Sequence, residues 1–503
     1  METEKNAVLV KKLVSGSGQG LIGSVGGRFI GVVSSVFIAR VLGPAYFGLF
    51  SIGWTLLNFM SLIATGGMDR VVIRFAPRFL KQDSSALRGL LFRAIGMSAV
   101  FGLSLGLLLF FLSPWLANVV YHKPDLESVL RLFAIDFPAI IILTVVAAST
   151  RINQVIKYSV IVQDIGQTLL GLILMVGFTL LGLKLFGMIL ADIISNIIAV
   201  LIGITILIRL FPEIFVVKTI SKISFKEMFG FSIPAVLGGA FSVYVFWIDR
   251  LLVGYFRTTY ENGIYQSVSQ LSTVFLVISA GINAIVVPMF ANYHQLGDKK
   301  SLEEVYRIST KWAIYISLPI LGVLIISPKE VLSFIYGIQY ISGANVLLIL
   351  LIGQLINLFT GSVSPLLVMT GHQSFLFKLS GIVFCFDIIM NLILIPSIGL
   401  IGAAICTSLS LGILYLVALF WVKQKLGLWP FDRRYFKGLI AAMLAFLGIY
   451  LTKFIFSGIN SFGVILEGSI SVIVFSLSLI FQKLDYEDLE FFNMLKKSFS
   501  KAT

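Results

Sequence analysis

The sequence predicts an all-α polytopic membrane protein with about 14 transmembrane helices. Three observations lead there. The 503-residue chain is 58% hydrophobic and only 12% charged, with a mean hydropathy of +1.00. Its apolar runs are near 20 residues long and do not alternate, which fits membrane-spanning helices and excludes a β-barrel. Its cations fall between those runs, mostly on one side.

The runs lie at 20–39, 46–66, 90–112, 129–149, 160–183, 186–208, 229–248, 263–289, 312–327, 344–369, 377–396, 399–422, 437–456 and 463–482. With the amino terminus inside, 29 of the 38 Lys and Arg residues fall in inner tails and loops or at the inner ends of spans, 8 in outer loops or at outer ends, and Arg28 is mid-span. That asymmetry follows the positive-inside rule and puts both termini in the cytoplasm. The net charge of +14 is thereby explained by topology, not by nucleic-acid binding. The amino-terminal segment reads as uncleaved, because no small-residue cleavage site follows it.

Helix 1, Gly20 to Arg40, organises the reading. Gly23, Gly27, Gly31 and Ser35 fall four apart and form one small-residue stripe. One position off that stripe stands Arg28, whose charge at bilayer depth costs about 3 kcal/mol or more. The residue is retained only where it faces a wet cavity or an anion. Gly43-Pro44 makes a tight turn into helix 2. The loop that follows, 65–81, is rich in charge: Asp69, Arg70, Arg74, Arg78 and Lys81. Segment 218–231 reads as a basic amphipathic linker, and 485–501 as a similar element. Cys385 and Cys406 lie in apolar runs and suggest neither a disulfide nor a metal site. His122, His294 and His372 are scattered and form no ligand cluster. No cofactor is expected, and without a P-loop motif no nucleotide drives the protein from within this chain.

The sequence also repeats itself. Residues 48–77 shifted by 215 fall on 263–292 without a gap, with eight of thirty positions identical, Gly48/Gly263 among them. The same shift aligns Gly166 with Gly381, Met175 with Met390 and Gly187 with Gly402. Helix 1 pairs with helix 7 through 38–42 and 248–252. Six helices separate each pair, so the halves share orientation and a site is expected at their interface. The domains expected are a six-helix lobe at 1–217, a second at 218–425, and helices 13 and 14 with a cytoplasmic tail at 426–503.

The segment ArgValLeuGlyProAlaTyrPheGly at 40–48, the basic helix 2–3 loop, PheSerIlePro at 231–234 and GlyLeuIleGlyAlaAla at 399–404 together resemble the Wzx-type polysaccharide flippases. These belong to the multidrug/oligosaccharidyl-lipid/polysaccharide exporter superfamily. The resemblance implies a non-enzymatic flippase with two six-helix lobes around a cavity. It implies movement of a polyprenyl-(di)phosphate-linked oligosaccharide from the inner to the outer leaflet of the plasma membrane by alternating access. The partners implied are that lipid-linked oligosaccharide, membrane lipids, H+ or Na+, and glycan-assembly enzymes.

Such a substrate wants guanidinium donors, because the planar fork of Arg matches a phosphate. Arg28 is the first candidate, and Arg70 and Arg74 are candidates at the inner mouth. Arg40, Asp249 and Arg250 are candidates for an outer gate, against the simpler reading of helix-end snorkelling. Asp387, near mid-depth, is a candidate for ion coupling or for pairing with Arg28; Asp164 and Asp192 are further coupling candidates. Asp136 and Glu467 are the other membrane-depth acids. The alternative is a cation-coupled multidrug antiporter of the same superfamily, which calls for acids in the cavity. A glycan polymerase or ligase is a third class, but it needs a sizeable outer catalytic loop that this chain lacks.

Overall fold

The computed structural model describes residues 2–80, 84–152, 156–212, 226–232, 244–245, 247–455 and 461–482. Side chains of 2–22, 24, 84, 156 and 461–462 are outside that description, as are most of the linker 218–231, residues 233–234 of the 231–234 motif, the body of predicted span 229–248 and the tail 485–501. Every regular element among the described residues is helical. Twelve segments there are long and apolar enough to cross a membrane. The first, Val25–Phe79, is 55 residues long and carries two of the predicted spans. Eleven further predicted spans each fall on one segment, and 229–248 falls largely outside the described residues.

The chain divides into two compact units. Unit 1 comprises 1–267 and 380–403. It contains α1 (Glu2–Ala64), α2 (Met68–Phe79), α3 (Ser84–Trp115), α4 (Leu126–Thr150), α5 (Ile156–Ser159), α6 (Gly166–Leu180), α7 (Lys184–Leu210) and α8 (Ile248–Phe256), with the first part of α9 (Thr259–Ser272). A π-helical turn, Val160–Asp164, joins α5 to α6. Unit 2 comprises 268–379 and 404–503. It contains α10 (Phe275–Gln295), α11 (Lys299–Ile326), α12 (Pro328–Ile335), α13 (Ala344–Thr360) and α14 (Val363–Met369). It also holds the early part of α15 (Gln373–Ile398), most of α16 (Leu400–Leu426), α17 (Tyr435–Ile455) and α18 (Ser461–Phe481).

Each unit is built on one helix that is buried over most of its apolar length. In unit 1 this is α4, flanked by α1, α2, α3 and α7. Its Val129, Phe133, Phe137 and Ile141 are buried. Gly102 and Gly106 of α3 let α4 approach so closely that added methyl groups would strike Pro138 and the Ala134 carbonyl. Leu103, Leu107 and Phe111 are exposed, as suits a lipid-facing surface. In unit 2 the surrounded helix is α11, against α10, α13, α17 and α18. Arg434 fixes its first turn, with a fork of 2.7 and 3.1 Å to Glu304 and a bond of 2.6 Å to Asp432.

The Gly43-Pro44 break is present inside α1. Gly43 has φ 71°, a left-handed value that a side chain would oppose, and Pro44 follows it. A second break was not foreseen. The predicted span 344–369 is two helices, α13 and α14, separated at Gly361 with φ 60°. Gly361 lies directly against Thr310, so that position tolerates no side chain.

The internal repeat has a physical counterpart in unit 1. A methyl on Gly48 would strike the Thr259 carbonyl, and a methyl on Gly263 would strike the Pro44 carbonyl. Each glycine also faces the other's amide nitrogen at 3.0 Å from the position of that methyl. Pro44 and Thr259 stand 215 apart, as do the glycines, so the same contact is made twice by equivalent residues. That reciprocity is the mark of a two-fold relation. Asn262 strengthens the crossing by donating to the Gly48 carbonyl at 3.1 Å and to Ser51 at 2.8 Å.

Gly48→Ala or Gly263→Ala is expected to force the two backbones apart at a cost of about 1–3 kcal/mol. Thermal unfolding of the purified protein should show the loss in both. Gly31→Ala, with nothing within 4 Å of the new methyl, should leave the midpoint unchanged.

Candidate functional site

The stripe on helix 1 sets Arg28. Gly23 lies against Val160, and Gly27 against the Asp164 carbonyl, so α1 meets the π-helical turn with no side chain between. The widened turn itself needs Gly166, where a methyl would collide with the Ile161 carbonyl. Single π turns inside helices are frequent at functional sites. Gly31, lower on the same stripe, faces open space, so the stripe packs over only part of its length.

One residue past the Gly27 contact, Arg28 is exposed. It stands within electrostatic reach of the half-buried Asp164 carboxylate. Arg151, the residue that ends α4, reaches the same carboxylate. Its Nε donates to Ser159 Oγ at 2.6 Å, which fixes the guanidinium. Both guanidiniums therefore act electrostatically on the one Asp164 carboxylate. Arg151 was not singled out from the sequence, because it stands at the end of an apolar run and reads as one more positive-inside charge. The pairing considered for Arg28 was with Asp387; the acid brought to it is Asp164.

Arg70 and Arg74 part company. Arg70 and Asp69 line a cavity of about 230 Å3, together with Asn58, Ser61, Thr65 and Thr144. Its aromatic wall is Phe59, Tyr244 and Trp247. Tyr244 stacks on Phe59 at 4.0 Å and donates to its carbonyl at 3.0 Å, while Trp247 stacks on Trp54 at 5.1 Å. Arg74 lies elsewhere, exposed, its guanidinium 4.1 Å from the Phe231 ring.

Among the gate candidates, Asp249 and Arg250 are buried and Arg40 is exposed. Asp249 starts α8, accepting from the Arg250 amide at 2.7 Å and from the Tyr265 hydroxyl at 2.5 Å. The Arg250 guanidinium sits 5.5 Å from the Trp247 ring. Lys123 donates to the Gly254 carbonyl at 2.7 Å and to the Tyr121 carbonyl at 3.1 Å, tying the turn before α4 to α8. Burial pulls the Lys123 ammonium below the usual lysine range, and Glu261 opposes that shift.

The acids form two further groups. Asp136 on α4 is fully buried, and Asn196 on α7 donates to both its oxygens at 3.0 and 2.9 Å. Asp192, one turn before Asn196, interacts electrostatically with Asp136. Asp387, also buried, accepts from Asn391 at 3.1 Å. The Asn391 side-chain oxygen is buried without a hydrogen-bond partner among the described residues. Among the described residues no group of three or more His, Cys, Asp or Glu could hold a metal ion.

Comparison with known proteins gives this architecture a family. The family model described as "Polysaccharide biosynthesis protein" matches residues 37–345. The chain is 22% identical over 201 residues to "Probable low-salt glycan biosynthesis flippase Agl15" of Haloferax volcanii, covering 39% of this chain and 42% of that protein. It is 22% identical over 395 residues to "Probable flippase AglR" of the same organism, covering 76% and 78%. The chain thus spans under half the length of the first of these relatives. Among solved structures, "Lipid II flippase MurJ, inward closed conformation" superposes with a TM-score of 0.73 at 18% identity, over 93% of this chain and 98% of that one. An inward-facing multidrug resistance MATE family transporter of the MOP superfamily gives 0.58 at 14% identity, over 81% and 94%. At these identities the structures establish a shared fold. The chain is a member of the polysaccharide biosynthesis protein family.

Proposed function

We propose that the protein moves a polyprenyl-(di)phosphate-linked oligosaccharide from the inner to the outer leaflet of the cytoplasmic membrane by alternating access. The observation that carries this reading is the exposed Arg28 beside Asp164, with Arg151 on the same carboxylate. A phosphate arriving there exchanges one shared carboxylate for a full anionic partner, and Arg suits it by bidentate donation. The cavity at Arg70 supplies the other half of such a ligand's chemistry. Hydroxyl and amide groups suit sugar hydroxyls, and stacked aromatic rings suit the apolar faces of sugar rings.

In this reading the lobes are 1–217 and 218–425, and helices 13 and 14 with the tail form 426–503. Both termini are cytoplasmic, as the charge bias demands. The reciprocal crossing of Gly48 and Gly263 lies near Arg40, Asp249 and Arg250 in sequence and serves as the outer gate's seam. An inside-negative potential favours outward movement of an anionic head by about 2.3 kcal/mol per charge per 100 mV. H+ or Na+ uptake at Asp192 with Asp136, or at Asp387, adds a second source of drive. The headgroup is supplied by glycan-assembly enzymes on the inner face.

Replacing Arg28 by Ala is expected to slow flipping about tenfold or more, the worth of a charge-assisted hydrogen bond. Lipid-linked glycan should accumulate in the inner leaflet at unchanged protein abundance, and Arg28→Lys should restore part of the activity. Normal flipping by Arg28→Ala at normal abundance removes this residue from the mechanism.

The Asp136–Asp192–Asn196 group favours a second reading, a cation-coupled multidrug antiporter. Resistance to cationic dyes on expression, without a glycan phenotype, would select it. Coupling itself is separable in proteoliposomes. There Asp192→Asn is expected to keep potential-driven flipping but lose the response to an imposed proton or sodium gradient. A full gradient response in that variant takes the acid pair out of coupling.

A further inference from the structure

The cavity beside Arg70 lies wholly within unit 1 and has a hydrogen-bond polarity of its own. Four hydroxyl-bearing residues line it, and each has spent its only proton. Ser61 Oγ donates to the Asn58 carbonyl at 2.9 Å, and Thr65 Oγ1 to the Leu62 carbonyl at 3.1 Å. Thr144 Oγ1 donates to the Ile140 carbonyl at 2.9 Å, and the Tyr244 hydroxyl to the Phe59 carbonyl at 3.0 Å. A carbonyl oxygen only accepts, so chemistry fixes the direction of all four bonds. What these hydroxyls can still offer a ligand is lone pairs. Asn58 has likewise committed an amide proton, to the Trp54 carbonyl at 2.8 Å. The carboxylate of Asp69 only accepts.

A wall of acceptors calls for a ligand that brings donors. Phosphate and carboxylate oxygens bring none, so the anionic head belongs elsewhere. Asp69 and Arg70 are the charged residues of the lining, and their formal charges cancel. No net charge draws a cation there either. At about 230 Å3 the cavity is smaller than the roughly 300–1,000 Å3 of pockets for drug-sized ligands. Hydroxyls bonded within their own helix are common and by themselves need no ligand. Here they converge with a carboxylate and with the stacked rings of Phe59 and Tyr244 on one small cavity.

We infer that this cavity selects one uncharged monosaccharide residue with free hydroxyls, and that Asp69 decides the selection by accepting from two of them. The inference rests on the flippase reading and names the part of the headgroup that enters here. Sugar hydroxyls supply the missing donors, and the C–H face of the ring suits the aromatic wall. Methylating or acylating those hydroxyls sets acceptor against acceptor and leaves hydrogen bonds unmade. Arg70 is left to donate to a ring or linking oxygen, which every sugar has, so it discriminates little.

The test is saturation-transfer NMR on the purified full-length protein with methyl glucoside, mannoside and galactoside, each beside its O-permethylated counterpart. At least one methyl hexoside is expected to receive saturation on its ring protons, and the permethylated forms are not. Asp69→Asn should weaken that hexoside about tenfold or more and shrink its preference over the permethylated form, the worth of hydrogen bonds to a charged group. Thr144→Val, nearly equal in volume, should weaken it about fivefold, the worth of one neutral acceptor. Binding by none of the three hexosides, equal binding by a permethylated form, or an unchanged Asp69→Asn overturns the inference. So does displacement of the hexoside by tetraphenylphosphonium, a cation without donors, which would give the cavity to the antiporter reading. Binding is read here without transport. A wild type that binds the hexoside but flips no lipid-linked glycan overturns the flippase reading and leaves the sugar selectivity of the cavity standing.

Discussion

A guanidinium set within a membrane-spanning helix needs a counter-charge, and in unit 1 that counter-charge is Asp164. Much of the local architecture follows from bringing it there. Gly23 and Gly27 strip one face of α1 so that its backbone rests on the turn carrying Asp164. The π-helical turn widens the chain at that point, and Gly166 makes the widening sterically possible. Ser159 anchors the second guanidinium, Arg151.

The second constraint is the crossing at Gly48 and Gly263. Two helices can touch backbone to backbone only where neither carries a side chain, and both glycines meet that demand through the other's neighbourhood. The contact binds equivalent residues of the two repeats. It is compact, held by one amide side chain, Asn262, and nearby aromatic stacking. Small surfaces of this kind separate at lower cost than a broad apolar interface.

Buried acids are handled in three different ways. Asp136 is met by an amide, Asp387 by an asparagine one turn on, and Glu467 by the Ser327 side chain. Sequence alone ranks these acids by depth, and depth singles out Asp387. Partner chemistry ranks them differently, because the cost of a buried carboxylate depends on what donates to it.

The class of the protein, most of its helical spans and the Gly43 break were legible in the sequence, which also carries the repeat and the position of Arg28 inside an apolar run. Each rests on a one-dimensional signal: hydropathy, charge bias, a fixed offset, or a charge inside an apolar run. The partners of Arg28 were not legible. Asp164 and Arg151 reach it from distant parts of the chain, and only helix packing decides which side chains meet. The same holds for the neighbour of Arg74, a binding candidate from the charge-rich loop whose guanidinium lies over Phe231. The split at Gly361 also escaped, because an uninterrupted apolar run reads as one span whether or not a neighbouring Thr310 forces it to break. Local composition fixes what each segment is; which charge balances which is a property of three-dimensional proximity, and that required the fold.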